Sequence, residues 1–287
     1  MDSSNMFTVT PMSQSTELNA GDIYEGDIIV ANPANAKGDF HYKVEVSPYA
    51  VSGEDYVADF SHELTESERS QIVNWTTIEN PTGVLKPNES VKVHYKVVVP
   101  ENAPAGGQYA ALLVSSDDNA SSSDGVAVNN VFEMASILYA KINGDLIHKG
   151  ELLGSKVPGF VTSLPLTVEA SFKNDGNIHE VAYISLEVRS YFSSENIYPK
   201  KDESGTVQEV IMPGTTRYVT RDIEGISPLG IYDVIETVSY MGESVTNHQM
   251  VIVCPIWFMA LVAVTIAAII VFIIHSIKKH RTNKQVV

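Results

Sequence analysis

Eight histidines, at positions 41, 62, 94, 148, 179, 248, 275 and 280, are the natural candidates for metal or acid–base chemistry. None stands at the HxxxH or HExxH spacing that sets two imidazoles on one helix face for zinc. His41 and His94 fall on the solvated faces of alternating strands. No G-x-S-x-G elbow, phosphate-cradling glycine loop or S-x-x-K pair supplies an activated nucleophile before the C-terminal segment. The one cysteine, Cys254, lies inside a long apolar run, so neither a reactive thiol nor an intrachain disulfide is available. Asp117, Asp118 and Asp124 cluster in SSDDNASSSDG, but without the spacing or closing glutamate of an EF-hand loop. That segment reads as a solvated loop, and Glu66/Glu68 as ordinary surface charge. The sequence therefore predicts no enzyme, no catalytic residue, no cofactor and no metal.

Charge narrows the partners. The 287-residue chain carries 19 basic and 35 acidic residues, a formal net charge of −16 at pH 7. Four of the cations, Lys278, Lys279, Arg281 and Lys284, are confined to the C-terminal tail. What precedes the tail is strongly acidic, which excludes nucleic acid bound through a general basic patch. An exported portion without disulfides fits a bacterial source.

The run Val251 to Ile274 contains no Asp, Glu, Lys or Arg. At about 1.5 Å per residue it is long enough to cross a hydrocarbon core of roughly 30 Å. Trp257 stands where an interfacial anchor would sit, and the basic flank keeps the C-terminus cytoplasmic. The expected topology is a single-pass cell-membrane protein with its N-terminal domains extracellular. Such export needs a signal, and MDSSNMFTVTP has neither a basic nor an apolar region, so the expectation is that a signal peptide has been removed. Ala260, Ala263 and Ala267 share one helix face, which would let a second span approach. Alanine is common in such helices, however, and a lipid-facing surface is the simpler expectation.

Before the span the chain is patterned for strands, with turn signals every eight to twelve residues or so. Phe40 to Tyr49 and Ser90 to Pro100 alternate apolar and polar residues. Gly106 to Ser116 is more continuously apolar, as suits a sheet centre. Leu64 to Trp75 is the one expected helical turn, with Thr65 as N-cap and Glu68 closing a capping box. Asn174-Asp175-Gly176-Asn177 predicts a tight hairpin. A Gly-x-Tyr strand occurs twice, at Gly107-Gln108-Tyr109 and at Gly230-Ile231-Tyr232. The expected fold is all-β: two tandem immunoglobulin-like β-sandwiches followed by a transmembrane helix. The boundaries are 1–6 for a residual N-terminus, 7–116 and 131–250 for the sandwiches, 117–130 for a linker, 251–275 for the helix and 276–287 for the tail.

FTVTP, IYEGDIIVANP, FHYKVEVSPY, the Trp75 segment, LKPNESVKVHYKVVVPENAPAGGQYAALLV, SFKNDGNIH and GIYDVIETVSY, followed by a span and basic tail, resemble the WxL-interacting surface proteins of Gram-positive bacteria. The chain resembles the versions in Saccharibacteria and related small-genome bacteria. The resemblance implies one immunoglobulin-like domain that engages peptidoglycan and another that engages partner surface proteins or host ligands. It transfers no ligand-contacting residue. The expected function is a surface binding or scaffold protein, with cell-wall glycan, another surface protein or a host ligand as partner, beside the lipid bilayer. The alternative is a tethered, chaperone-like accessory for assembly of surface proteins or pili.

Overall fold

The computed structural model describes residues 7–53, 55–116, 132–193, 196–200 and 203–283. The N-terminal stretch 1–6, the linker 117–130 with its three aspartates, and Lys284 lie outside them.

The chain divides into two compact units. Unit 1 comprises residues 1–150, Lys173–Glu180 and Ile211–Arg217. Its strands are β1 (Thr8–Thr10), β2 (Ser13–Leu18), β3 (Ile23–Ala31), β4 (Phe40–Pro48), β5 (Ala50–Ser52), β6 (Val57–Asp59), β7 (Thr76–Ile78), β8 (Thr82–Leu85), β9 (Ser90–Val98), β10 (Gly106–Ser116) and β11 (Glu133–Ile142). One sheet runs β1-β3-β9-β7 and the other β2-β11-β10-β4-β8, with β5 and β6 as a small separate pair. The alternation in β9 sends Val93, Tyr95 and Val97 inward, where they meet Ile28, Val44, Leu112 and Leu138 in one buried cluster. Period-two patterning of this kind fixes register, because a slip by one residue would carry every apolar side chain to the solvent.

Unit 2 comprises Glu151–Phe172, Val181–Val210 and Tyr218–Val287. The second half of the chain forms β12 (Gly150–Lys156), β13 (Phe160–Val161), β14 (Leu166–Asn174), β15 (Glu180–Ser190), β16 (Asn196–Tyr198), β17 (Thr206–Ile211), β18 (Thr216–Ile223), β19 (Gly230–Tyr240) and β20 (Glu243–Val253). The order β12-β14-β18 makes one sheet; β13-β20-β19-β15-β16, with β17 beside β15, makes the other. Leu166, Val168, Leu186, Val188, Ile223, Val234, Val251 and Val253 fill the unit's core. The all-β sandwich expectation holds, and one long apolar helix follows.

Five features differ from the sequence reading, each for a physical reason. Glu133–Ile142, expected to open the second sandwich, pairs antiparallel with β10 and parallel with β2 in unit 1. Its alternation says which face is apolar, not which sheet it completes. The turn at Asn174–Asn177 forms, but β14 and β15 enter different sheets, so it is an arch rather than a hairpin. Asn174 Nδ2 donates to the carbonyls of Ile178 and Ile211, both at 2.8 Å, while its Oδ1 accepts from Gly176 N at 2.9 Å. The segment 64–75 holds a 3-10 turn at His62–Glu66 and a short α1 at Ile72–Trp75, with Ser61 and not Thr65 preceding the first turn. Neither turn carries a side-chain cap, and Thr65 lies inside the 3-10 turn.

The remaining two differences concern the apolar run. Val251 and Val253, at 0% and 1% exposure, are core residues of β20, so the run Val251 to Ile274 is shared between a sheet and a helix. The helix, α2, runs Ile256–Asn283, and Pro255, which cannot continue a ladder, marks the break. Lys278, Lys279 and Arg281, assigned to a tail at 276–287, accordingly lie within α2.

The repeated Gly-x-Tyr has a structural meaning. Residues two apart share a strand face, and each tyrosine ring lies back over the glycine before it. A Cβ on Gly107 would fall 1.8 Å from Tyr109 Oη, and one on Gly230 would fall 2.7 Å from Tyr232 Oη. The hydroxyls then bond nearby backbone: Tyr109 accepts from His179 N at 2.8 Å, and Tyr232 accepts from Ser227 N at 2.8 Å.

Candidate functional site

Among the described residues the feature best suited to a partner is the free side of β20. The β19–β20 hairpin turns through Met241 and Gly242, both at positive φ (52° and 80°), the two-residue geometry that matches strand twist. Tyr240 therefore stands opposite Glu243, and the register continues to Gly230 opposite Val253. In such a ladder alternate residues turn both backbone groups to the same side. Glu243, Val245, Asn247, Gln249 and Val251 bond β19, which leaves Ser244, Thr246, His248 and Met250 facing outward. Ile252 continues the outward series and donates to the carbonyl of Gly159 at 3.0 Å. Strand β13 covers only Ile252 and Val253. From Glu243 to Val251 no strand among the described residues pairs with this side, and Met250 O accepts from the Gln249 side chain at 2.9 Å.

Natural sheets blunt long edges with lysine, proline, bulges or shortening. β1, β7 and β16 are three residues each. β12 carries Glu151 and Lys156, and β18 carries Arg217, Arg221 and Asp222. β20 has 11 residues, no proline, no lysine and no charged residue apart from Glu243. It runs into α2 across two residues, Cys254 and Pro255.

The sheet face beside this edge is rich in hydroxyls. Thr237 and Thr246 pair at 3.1 Å and Ser239 and Ser244 at 3.0 Å, with Tyr183 completing the end row. His248 Nε2 shares a hydrogen bond with Asp233 Oδ1 across the strands. Met250 is 47% exposed, so apolar surface borders the open edge.

Other titratable clusters are structural. In unit 1 His94 Nδ1 lies 2.9 Å from Asp27 Oδ1, with Lys92 at 3.1 Å from the same carboxylate. The Asp27 hydrogen bond raises the His94 pKa, and bonding to His94 and Lys92 lowers that of Asp27. Both groups are solvated and pair across the two inner strands β3 and β9, so this is surface charge on the sheet face. Burial lowers the pKa of His179 and raises that of Tyr109, its partner. Trp257 is 64% exposed at the start of α2, its ring against Phe258.

The sequence reading named Trp257 and the basic flank, and it did not name β20. It assigned Val251 to the span, so the strand before it went unread. The signal was present: SVTNHQMVIV after a Met-Gly turn is a strand with outward Thr246, His248 and Met250.

No family model matches the chain and no curated protein matches it. The WxL-interacting family is therefore not shown. Solved structures that resemble it include the class 5 fimbrial chaperone CfaA, at 11% identity and TM-score 0.38, over 85% of this chain and 99% of that one. The Escherichia coli chaperone DraB matches at 11% identity and TM-score 0.37, over 85% and 97%. The CsuC–CsuE chaperone–adhesin pre-assembly complex of Acinetobacter baumannii Csu pili matches at 13% and 0.37, over 85% and 98%. Likeness this distant assigns no function to this chain.

Proposed function

We propose that this chain is a membrane-tethered accessory that holds an extended segment of another exported or surface protein by strand addition to β20. The carrying observation is the open edge from Glu243 to Val251, long, nearly uncharged and directly joined to α2. An added strand would satisfy the outward backbone groups of Ser244, Thr246, His248 and Met250, and the exposed side chain of Met250 would supply an apolar contact. The window Ile256–Ile277 of α2 is long and apolar enough to cross a membrane, about 33 Å at helical rise. With Lys278, Lys279, Arg281 and Lys284 on the cytoplasmic side, both sandwiches stand outside the cytoplasm.

A second copy is a poor occupant. Copies in one membrane present β20 in the same direction, and a two-fold axis would set like residues level. A parallel ladder needs them staggered, because its bonds slant. The accessory reading, the alternative at sequence level, is thus favoured over a glycan-binding scaffold, for which no described cluster offers a site.

The substitution Thr246→Pro tests this. The Thr246 N–H faces outward, so proline removes no bond to β19, yet it blocks the middle of an added strand. Pull-down of the full chain from native envelopes is expected to recover a partner that Thr246→Pro retains about tenfold less or worse, several main-chain bonds being lost. Thr246→Pro loses only the exposed hydroxyl bond to Thr237, about 1 kcal/mol, so both proteins are expected to be folded at the assay temperature. Equal recovery by both would overturn strand addition at β20.

A further inference from the structure

One group of side chains in unit 2 belongs neither to the apolar core nor to the edge. The inward positions of β19 are Tyr232, Val234, Glu236, Val238 and Tyr240, and Glu236 is fully buried among them at 0% exposure. Ser155 of β12 donates its hydroxyl to Glu236 Oε2. Asn247 of β20 brings its side-chain amide nitrogen to 2.6 Å from Ser155 Oγ and 3.3 Å from Glu236 Oε2. Glu236 Oε1 has no partner. A buried carboxylate served only by neutral groups, one oxygen left bare, is costly to keep.

The arrangement is that of a reaction. A hydroxyl is activated by a hydrogen-bonded carboxylate, and the amide carbon of Asn247 stands one bond beyond a nitrogen already in contact with that hydroxyl. Glu236 itself is fully buried, which keeps its carboxylate out of water beside the hydroxyl. We propose that Ser155 and Asn247 join in a self-catalysed intramolecular ester. Glu236 accepts the Ser155 hydroxyl proton as Oγ attacks Cγ of Asn247. The tetrahedral intermediate then collapses with cleavage of the C–N bond. The amide nitrogen leaves as ammonia, taking back the proton that Glu236 held. Hydroxyl plus carboxamide gives ester plus ammonia, the carboxylate is regenerated, and nothing is oxidised or reduced. Ser155 and Asn247 are both partly exposed, so ammonia can leave to solvent.

The bond would tie the first strand of the second half of the chain to its last, 92 residues apart. β20 continues into α2. Tension on a membrane tether would otherwise peel β20 from its sheet, and the ester would hold that strand to β12.

Intact mass spectrometry of the purified full chain tests the bond. The wild type is expected about 17 Da below its sequence mass, one ammonia. Fragmentation should place the link between the peptides holding Ser155 and Asn247, and hydroxylamine, which cleaves esters, should separate them. Ser155→Ala and Glu236→Gln are expected at their full sequence masses. Should either variant fold poorly, the wild-type fragmentation still decides, since it locates the link directly. A wild type at full mass would overturn the proposal. So would a deficit that persists in Ser155→Ala, which would mark an asparagine cyclising elsewhere.

Discussion

Gly107→Ala is expected to lower the unfolding free energy by about 3 kcal/mol, the upper range for overpacking a core. The added methyl would lie 1.8 Å from Tyr109 Oη and 2.4 Å from Cζ. Tyr109 has nowhere to retreat. It is 1% exposed, its hydroxyl holds the His179 amide at 2.8 Å, and its ring packs edge-on against Tyr139 and His179 at 5.9 and 5.6 Å. Gly154→Ala is the control, because its methyl meets only Ser171 Oγ, at 3.8 Å. It should change stability by less than about 0.5 kcal/mol. Urea unfolding of both variants checks the contrast; a cost for Gly107→Ala below about 1 kcal/mol would mean that the ring does not sit over the glycine.

Asn174→Ala should cost a comparable amount, about 3 kcal/mol. The side chain is 0% exposed and serves three backbone groups, the carbonyls of Ile178 and Ile211 and the amide of Gly176. Its removal leaves all three without their partner in a buried site, where each unsatisfied group costs about 1–3 kcal/mol before water or relaxation recovers part. Asn174→Asp should be no milder. A carboxylate keeps the bond from Gly176 but turns an acceptor toward two carbonyls. Thermal unfolding of both variants is the check, and wild-type-like melting of either would show that water replaces the amide.

How legible the chain was follows from which interactions are local. Alternation in Phe40–Pro48, Ser90–Val98 and Gly230–Tyr240 is set by each residue's own face, and those strands stand where the pattern puts them. The repeated Gly-x-Tyr was visible too, although its cause, a ring folded over a missing Cβ, is not. Strand partnership is a long-range property. Glu133–Ile142 joined β10 and β2, and the Asn-Asp-Gly turn joined two sheets, because the choice of neighbour depends on sheet edges distant in sequence. The apolar run misled for another reason: burial in a sandwich and burial in lipid select the same residues at Val251 and Val253. Glu236 was the clearest missed signal. In YDVIETVSY it occupies an apolar-face position, where a charge needs an explanation.

The central claim, that another protein adds a strand to β20, is tested most directly by photo-crosslinking in native membranes. A photoreactive residue at position 248, beside the open edge, is expected to give one dominant adduct with another protein, absent when Thr246→Pro is also present. The same residue at position 169, on the exposed face of β14, is expected to give none. No adduct from position 248, or the same adducts from both positions, would contradict strand addition at this edge.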